Sequence, residues 1–438
     1  MKKIVCIGVL VWGCLLIQVN AFEVQVNGSA ETFTKWGFNN QKLNQATGVA
    51  PTESFTTLFS QLNLEADLGA GFKAGLGGAI GGLVFDSTAG LNSGVGNASP
   101  VQQGYFGLSW DKERIQNYIV HNAFLEYKYA DSVYLKAGRY EGGKVGEWYS
   151  GYTQGAEGYI QFKHIKIWGF LSNRRGFAYD QWFNDFYRVS GTYSNGATRN
   201  TYAAGLDLSF AGFSVSGFSY YIPGVVTAPG VSLTFDSNPN FEAQGFRSVS
   251  KVRTLFPIAA DGQWGSDKSV RGGQWVGIEH HSATLIFEQK FELDNFHFGA
   301  GYYQNFGNAS ALIGSWGSPL MLDIWTASAW DIGPALADII SKNAITGFGF
   351  LGANYAKFDW QFIARATNST RSAEQSVALH LKYQVREDVS VGGKLEWFSD
   401  TTKAGYNPLA GYYTDVFKLT HKRIDDRSHL FFYIRHTF

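Results

Sequence analysis

The sequence predicts an all-β protein, a transmembrane antiparallel β-barrel of about 18 strands with short periplasmic turns and long extracellular loops. Three observations predict it. Segments of about ten residues that are apolar at every second position recur from Phe22 onward, short turns alternate with long loops between them, and the chain stops on Phe438 inside such a segment. Composition agrees: aromatic residues make up 16% and charged residues 16%, with 52 Gly and only 9 Pro in 438 residues. An average globular chain carries roughly 25% charged residues and about 7% Gly. A spanning barrel needs this balance because half of each strand faces lipid and the other half water.

At the N-terminus, Lys2 and Lys3 precede an apolar run from Ile4 to Ile17, and Val19-Asn20-Ala21 offers small or uncharged residues for cleavage before Phe22. This pattern is an export signal over residues 1–21, leaving 22–438 as one outer-membrane barrel domain. The apolar run is too short for a comfortable transmembrane helix, and no later stretch reaches the roughly 20 residues that a spanning helix needs. Bulky Trp12 beside Gly13-Cys14 disfavours a lipoprotein cut. Both cysteines, Cys6 and Cys14, lie in the signal, so the mature chain is expected to lack disulfides, thiolate metal sites and cysteine nucleophiles. Loss of two lysines changes 36 basic against 36 acidic residues to 34 against 36, or −2, which excludes a polybasic nucleic-acid binder.

Taking the strands in order, Phe22, Val24 and Val26 open the pattern, and Leu62, Leu64, Ala66 and Leu68 alternate with Gln61, Asn63, Glu65 and Asp67. Beyond Gly69-Ala70-Gly71 it resumes with Phe72, Ala74, Leu76 and Ile80. Further tight turns are expected at Ala130-Asp131-Ser132, near His164, at Ala211-Gly212, Leu293-Asp294-Asn295, Ala356-Lys357 and Arg386-Glu387-Asp388. Long connections fall near 39–54, 87–116, 142–155, 176–198, 254–280, 307–344 and 402–427, while strands between Pro223 and Phe256 are poorly defined. An even strand count puts both chain ends on the short-turn side, and a barrel of about 16 to 18 strands leaves an aqueous lumen.

The late strands assign their own faces. Val377, Leu379, Leu381 and Tyr383 oppose Ala378, His380, Lys382 and Gln384, and Val391, Leu395 and Trp397 oppose Ser390, Lys394 and Glu396. Charge on the lipid face costs several kcal/mol at mid-depth, so the charged face is luminal. In the last strand, Leu430, Phe432, Ile434 and Phe438 form the apolar face, opposite His429, Tyr433, Arg435 and Thr437. That ending resembles the C-terminal assembly signal of bacterial outer-membrane barrels, and His436 stands where such signals more often carry Tyr or an aliphatic residue. A soluble sandwich has shorter strands and gives no reason for a terminal Phe.

Several stretches resemble the Helicobacter outer-membrane protein (Hof) family. They are Lys35-Trp36-Gly37-Phe38-Asn39-Asn40-Gln41-Lys42, Pro51-Thr52-Glu53-Ser54-Phe55, and the glycine-rich run Gly75–Val84. Gly138-Arg139-Tyr140-Glu141, Ser150-Gly151-Tyr152-Thr153-Gln154-Gly155 and Gly176-Phe177-Ala178-Tyr179-Asp180-Gln181-Trp182 continue the resemblance to about residue 190. That family is similar to OprD-type porins, and the resemblance implies a passive diffusion channel in the cell outer membrane whose pore is narrowed by an inward loop.

Candidate constriction residues are Arg139, one place off its strand's pattern, and Lys144, Glu147, Trp148, Tyr149 and Tyr152 in the segment 142–155, which mixes charge with rigid aromatics. The lumen wall is expected to carry Lys136, Lys166, Arg174, Arg365, Lys382, Lys394 and Arg435, with Lys73, Lys128, Lys163 and Lys290, against Glu65, Asp67, Glu126, Asp207, Glu288, Asp359 and Glu396. Eleven basic against seven acidic positions suggest a weakly basic lumen. The alternative is structural pairing across neighbouring strands. Gly347-Phe348-Gly349-Phe350-Leu351-Gly352 spells the dinucleotide fingerprint but continues into strand pattern rather than a helix. His280-His281 point to opposite faces of a strand, and Gly333–Asn343 has helical spacing that would pack on the rim.

These features favour a porin for small hydrophilic solutes, with no cofactor, metal or nucleic acid, embedded in outer-membrane lipid and delivered by the assembly machinery through its last strand. A surface adhesin that uses aromatic loops to hold a host partner is the competing class. No spacing singles out a Ser–His pair for hydrolysis, and strand pattern from Phe22 leaves no room for the plug of an active transporter.

Overall fold

In lipid every backbone N–H and C=O must find a partner within the chain, and an antiparallel sheet achieves this only by closing on itself. The computed structural model, which describes residues 23–142, 148–188, 199–260, 279–309, 319–322, 324, 328–330, 338–409 and 417–438, does so with 18 strands. They are β1 Glu23–Gly37, β2 Phe55–Gly69, β3 Phe72–Asp86, β4 Tyr118–Tyr129, β5 Val133–Glu141, β6 Tyr152–Phe162, β7 Ile165–Ala178, β8 Thr201–Phe210 and β9 Phe213–Ile222. The second half comprises β10 Val226–Asp236, β11 Phe246–Leu255, β12 Ala283–Leu293, β13 Phe296–Phe306, β14 Ile345–Tyr355, β15 Phe358–Asn368, β16 Ser372–Arg386, β17 Val389–Thr402 and β18 His429–Thr437. Each strand pairs antiparallel with its neighbours in sequence, and β18 pairs with β1 from His429↔Gly37 to Thr437↔Ser29. No described helix is long and apolar enough to cross a membrane.

Phe438 completes the seam. Its N–H donates to the Gly28 carbonyl at 3.1 Å and its carbonyl accepts from the Gly28 N–H at 2.8 Å. Leu430, Phe432 and Ile434 face outward beside it, exposed to lipid. A Cβ on Gly28 would lie 2.7 Å from the Phe438 ring and 2.6 Å from the Gln61 carbonyl oxygen, so only glycine lets the terminal ring lie flat across the joint.

The outer face carries two aromatic belts. Tyr129, Phe162, Phe210, Phe246 and Tyr383 are exposed near the turn rim, and Trp36, Phe85, Tyr118, Tyr202 and Trp397 near the loop rim. Amphipathic rings prefer headgroup depth, and Leu, Val and Ile fill the band between.

Turns fall where the sequence placed them, several through a left-handed residue such as Ala130, Lys163, Ala211 or Asp294. Two loop-rim connections are much shorter than the rest: Pro223–Val225 and Ser369–Arg371 join their strands directly. One turn-side connection is longer, from 237 to 245. Together these explain the blurred pattern near Pro223. Pro229 sits in β10 where β11 leaves it, so its missing N–H breaks no ladder bond; β10 pairs with β11 only from Gly230↔Leu255 onward. Gly347–Gly352 lies within β14, with Phe348 and Phe350 turned inward. Of Gly333–Asn343, only Asp338–Asn343 is described; Asp338–Ile340 forms a buried 3-10 turn inside the mouth rather than a helix on the rim. Residues 1–22, with the export signal, lie outside the described residues.

Replacing Gly28 with Leu is expected to crowd the seam by about 1–3 kcal/mol. Gel mobility with and without boiling should show a smaller fraction of compact barrel; an unchanged fraction would mean that Phe438 does not hold the joint.

Candidate functional site

The ion pairs inside the barrel divide it into two halves. Near the turn rim, Lys73–Glu65 (3.1 Å), Lys166–Asp207 (3.7 Å) and Arg247–Asp236 keep side chains 16–40% exposed. Toward the loop rim, Lys35–Glu53 (2.6 Å), Arg365–Glu374 (2.6 Å), Arg253–Glu288 (3.3 Å) and Lys394–Glu396 are only 0–7% exposed. Pairs that keep water lose little hydration, whereas buried pairs must be offset by each other and by further hydrogen bonds. The turn-side half is therefore a wet vestibule and the loop-side half is filled.

Described segments of at least three loops fill it. Ser99 caps the short helix α1, Pro100–Gly104, through a capping box with Gln102, and Pro100 sets its first turn. The helix delivers Tyr105 and Phe106 into the lumen, where Phe106 stacks on Phe183 at 5.1 Å and Tyr105 on Trp182 at 4.7 Å. Phe106 also lies against Gly81 of β3, where a Cβ would come within 2.5 Å of the ring. The glycine-rich inner face of β3 is thus a bed for an in-folded ring.

The segment 179–188 supplies Phe183 and Phe186. The third segment belongs to the 307–344 connection: the Met321 N–H donates to Glu288 at 2.8 Å, and the Ala329 N–H donates to Glu53 at 3.0 Å. Glu288 on β12 and Glu53 beside β1 stand seven strands apart one way round the 18-strand ring and eleven the other. Described residues of one connection therefore touch the wall at both places. Leu320, Ile324 and Ile339 join Trp168, Tyr220, Ile286 and Phe350 in one apolar cluster inside the barrel.

This placement revises the expected constriction. Trp148 and Tyr149 are fully buried against the wall, the Trp148 backbone N–H donating to the Tyr220 hydroxyl at 3.2 Å and the Tyr149 hydroxyl meeting Ser172 at 2.7 Å. Tyr152 already belongs to β6 and stands edge-on to His121 at 4.9 Å. Lys144 and Glu147 lie outside the described residues. Arg139, displaced by Gly138 at φ 124°, donates to Gln154 at 3.0 Å and covers the Phe186 ring at 4.6 Å.

Among the expected wall residues, Lys136 meets Glu126 at 3.1 Å and the Phe124 ring at 3.8 Å, Arg174 meets Asp111 at 3.3 Å, and Arg435 meets Glu31 at 2.8 Å. Lys382 is exposed in the vestibule, opposite Asp359 in register. Nine of the eleven expected cations have a carboxylate within 3.7 Å. Five of those partners, Asp131, Asp111, Glu292, Glu374 and Glu31, stood outside the seven acids counted from alternation. The eleven-to-seven excess therefore overstates the positive character of the wall.

Residues not anticipated include Lys35, Glu53, Tyr105, Glu31 and Asp180. Lys35 and Glu31 alternate with Thr32, Thr34 and Trp36 in β1, so the period-2 rule would have found them; Glu53 and Asp180 lie outside strands, where that rule is silent. All except Glu31 and Tyr105 fall in the stretches that resemble the Hof family.

Comparison with known proteins agrees with this geometry. The family described as "Putative outer membrane protein" matches residues 9–438. The chain belongs to that family. No curated protein matches the sequence. Among solved structures, the chain is similar to Acinetobacter baumannii OccAB2, with 11% identity over 95% of this chain and 98% of that one and a TM-score of 0.64. It is also similar to Pseudomonas aeruginosa OccK9 (OpdG), with 10% identity over 96% and 98% and a TM-score of 0.63. For P. aeruginosa OccK8 (OprE) the values are 10%, 95%, 98% and 0.61. At this identity the likeness is one of fold, and it accords with the OprD-type barrel that the motifs of the family imply.

One luminal contact is expected to respond to protons. Arg435 serves two carboxylates, Glu31 at 2.8 Å and Asp180 at 3.6 Å, and the Thr57 hydroxyl holds the Asp180 carbonyl at 2.6 Å. Burial pushes the Asp180 carboxyl above its ordinary value, and Arg435 offsets only part of that. A raised carboxyl binds its proton more tightly in the folded state, so the in-folded 179–188 segment gains stability as pH falls through the carboxylate range and loses it as pH rises. Hydrogen exchange of this segment, corrected for intrinsic rate, is expected to slow on acidification, and Asp180→Asn to flatten the response. Faster exchange in acid would contradict it.

Proposed function

We propose that the chain is an outer-membrane porin, a passive and non-enzymatic diffusion channel for small hydrophilic solutes, exported by residues 1–21 as a single barrel domain of residues 22–438. The observation that carries this reading is the contrast in hydration along the bore: half-exposed ion pairs line a wide vestibule, and the chain's own loops narrow the other half. Bulk passage through the wide half costs a solute little, so selection falls to the filled half, by width and by local charge.

Lipid surrounds the aromatic belts, and the outward Leu430, Phe432, Ile434 and Phe438 suit recognition by the assembly machinery. Among the described loop aromatics, Trp148, Tyr149 and Trp330 are buried inside, which weighs against an adhesin built on these three. Because most luminal cations are paired, the weakly basic character reduces to groups such as Lys382, while Lys163, expected on the wall, stands in the β6–β7 turn, and ion selectivity is expected to be slight.

Purified protein in a planar bilayer should give stepwise conductance with a reversal potential close to zero, displaced toward anions. A folded but silent barrel would contradict the channel, and strong cation preference would contradict the charge assignment.

A further inference from the structure

We propose that Glu53 is the positioning residue of the constriction, a single carboxylate on which a wall strand and two in-folded loops converge and whose loss lets Ser328–Trp330 leave the bore. This deepens the porin reading and rests on it. Glu53 lies in the connection between β1 and β2 and is fully buried. Its Oε1 accepts from Lys35 Nζ at 2.6 Å, from the Tyr105 hydroxyl at 3.0 Å and from the Ala329 N–H at 3.0 Å, while Oε2 takes the Ser328 hydroxyl at 3.5 Å. Lys35 Nζ also donates to the Tyr105 oxygen at 3.2 Å, which closes a triangle of three buried polar groups.

Each donor arrives from a different part of the chain. Lys35 is fixed in the wall strand β1, Tyr105 follows α1 in the 87–117 connection, and Ser328 and Ala329 come from the far side of the ring. Burial alone would raise the Glu53 carboxyl, but the Lys35 charge and hydrogen bond, with a backbone hydrogen bond and Arg427, together bring it below its ordinary value. It therefore stays an anion through the working pH range. An ionised acceptor binds N–H and O–H donors about twice as strongly as a neutral one. Beside it the Trp330 backbone N–H donates to the Ser328 hydroxyl at 3.2 Å, and the Trp330 ring packs with Ala50 and Leu409. Backbone and ring thus seat Ser328–Trp330 against the β1 side of the mouth, and the anion is the anchor that they share.

Two substitutions separate the anchor from the fold. Glu53→Gln keeps the shape and removes the charge; Ala329→Pro deletes the N–H that reaches Glu53 and leaves the Lys35–Glu53–Tyr105 triangle whole. A reporter Ala329→Cys retains that N–H, and because both native cysteines lie at positions 6 and 14, the exported chain offers no competing thiol. With Glu53 intact, labelling of Cys at 329 by a membrane-impermeant maleimide should be slow. In the Glu53→Gln background it should quicken by about tenfold or more, as expected when a buried segment opens locally. Single-channel conductance of Glu53→Gln and of Ala329→Pro should rise at least about twofold, since both empty the same part of the bore. Unchanged labelling in Glu53→Gln, or unchanged conductance in both variants while wild type conducts, would overturn the proposal. Faster labelling with no conductance in any protein would keep the anchor and reject the porin reading.

Discussion

The constraint on which everything else rests is the closure of backbone hydrogen bonds in a medium without water. An open sheet edge in hydrocarbon would leave a row of N–H and C=O groups unpaired, each costing several kcal/mol. The pairing of β18 with β1 removes both edges at once. It also fixes the alternation of the whole ring, because a slip of one residue at any seam would turn the charged face into lipid. The fit of Phe438 over Gly28 gives this closure a defined register at the seam.

Closure sets the outer wall, but the interior is settled by a second balance. The bore of an 18-strand ring is too wide for its wall residues to fill, so its packing comes from the loops. Where loops enter, water is expelled and every charge must find a partner; where they do not, charges stay half hydrated and pair loosely. The step from 16–40% to 0–7% exposure along the same kind of ion pair records that boundary. Buried pairs contribute little net stability, since desolvation consumes most of their attraction. Their service is positional: Glu53 and Glu288 each accept an N–H of the 307–344 connection, and Asp338 of that connection pairs with Arg371 in the 369–371 link.

The barrel was legible because alternation, turn residues and an aromatic C-terminus are local signals, repeated many times. Lys382 against Leu381, or Lys394 against Leu395, states its face without reference to any other strand. Pro223–Val225 was not legible, since a three-residue link on the loop rim and a proline in β10 both interrupt the period that identifies strands. The constriction was only partly legible. Trp148, Tyr149 and Tyr152 mark a segment that turns inward, but the contacts of Met321 with Glu288 and of Ala329 with Glu53 join residues far apart in sequence that meet only once the ring has closed. Charge counting failed for a similar reason: Lys136 and Glu126 are neighbours in register, but Arg174 finds Asp111 only because a loop folds in.

The central claim is a wet bore behind a lipid-facing wall, and single-cysteine accessibility on β16 tests it most directly. A water-soluble thiol reagent should react readily with cysteine at position 382, in the vestibule, and poorly at 381, which faces lipid, and at 378, where the lumen is filled. Equal reactivity at 381 and 382, or protection at 382, would contradict the account.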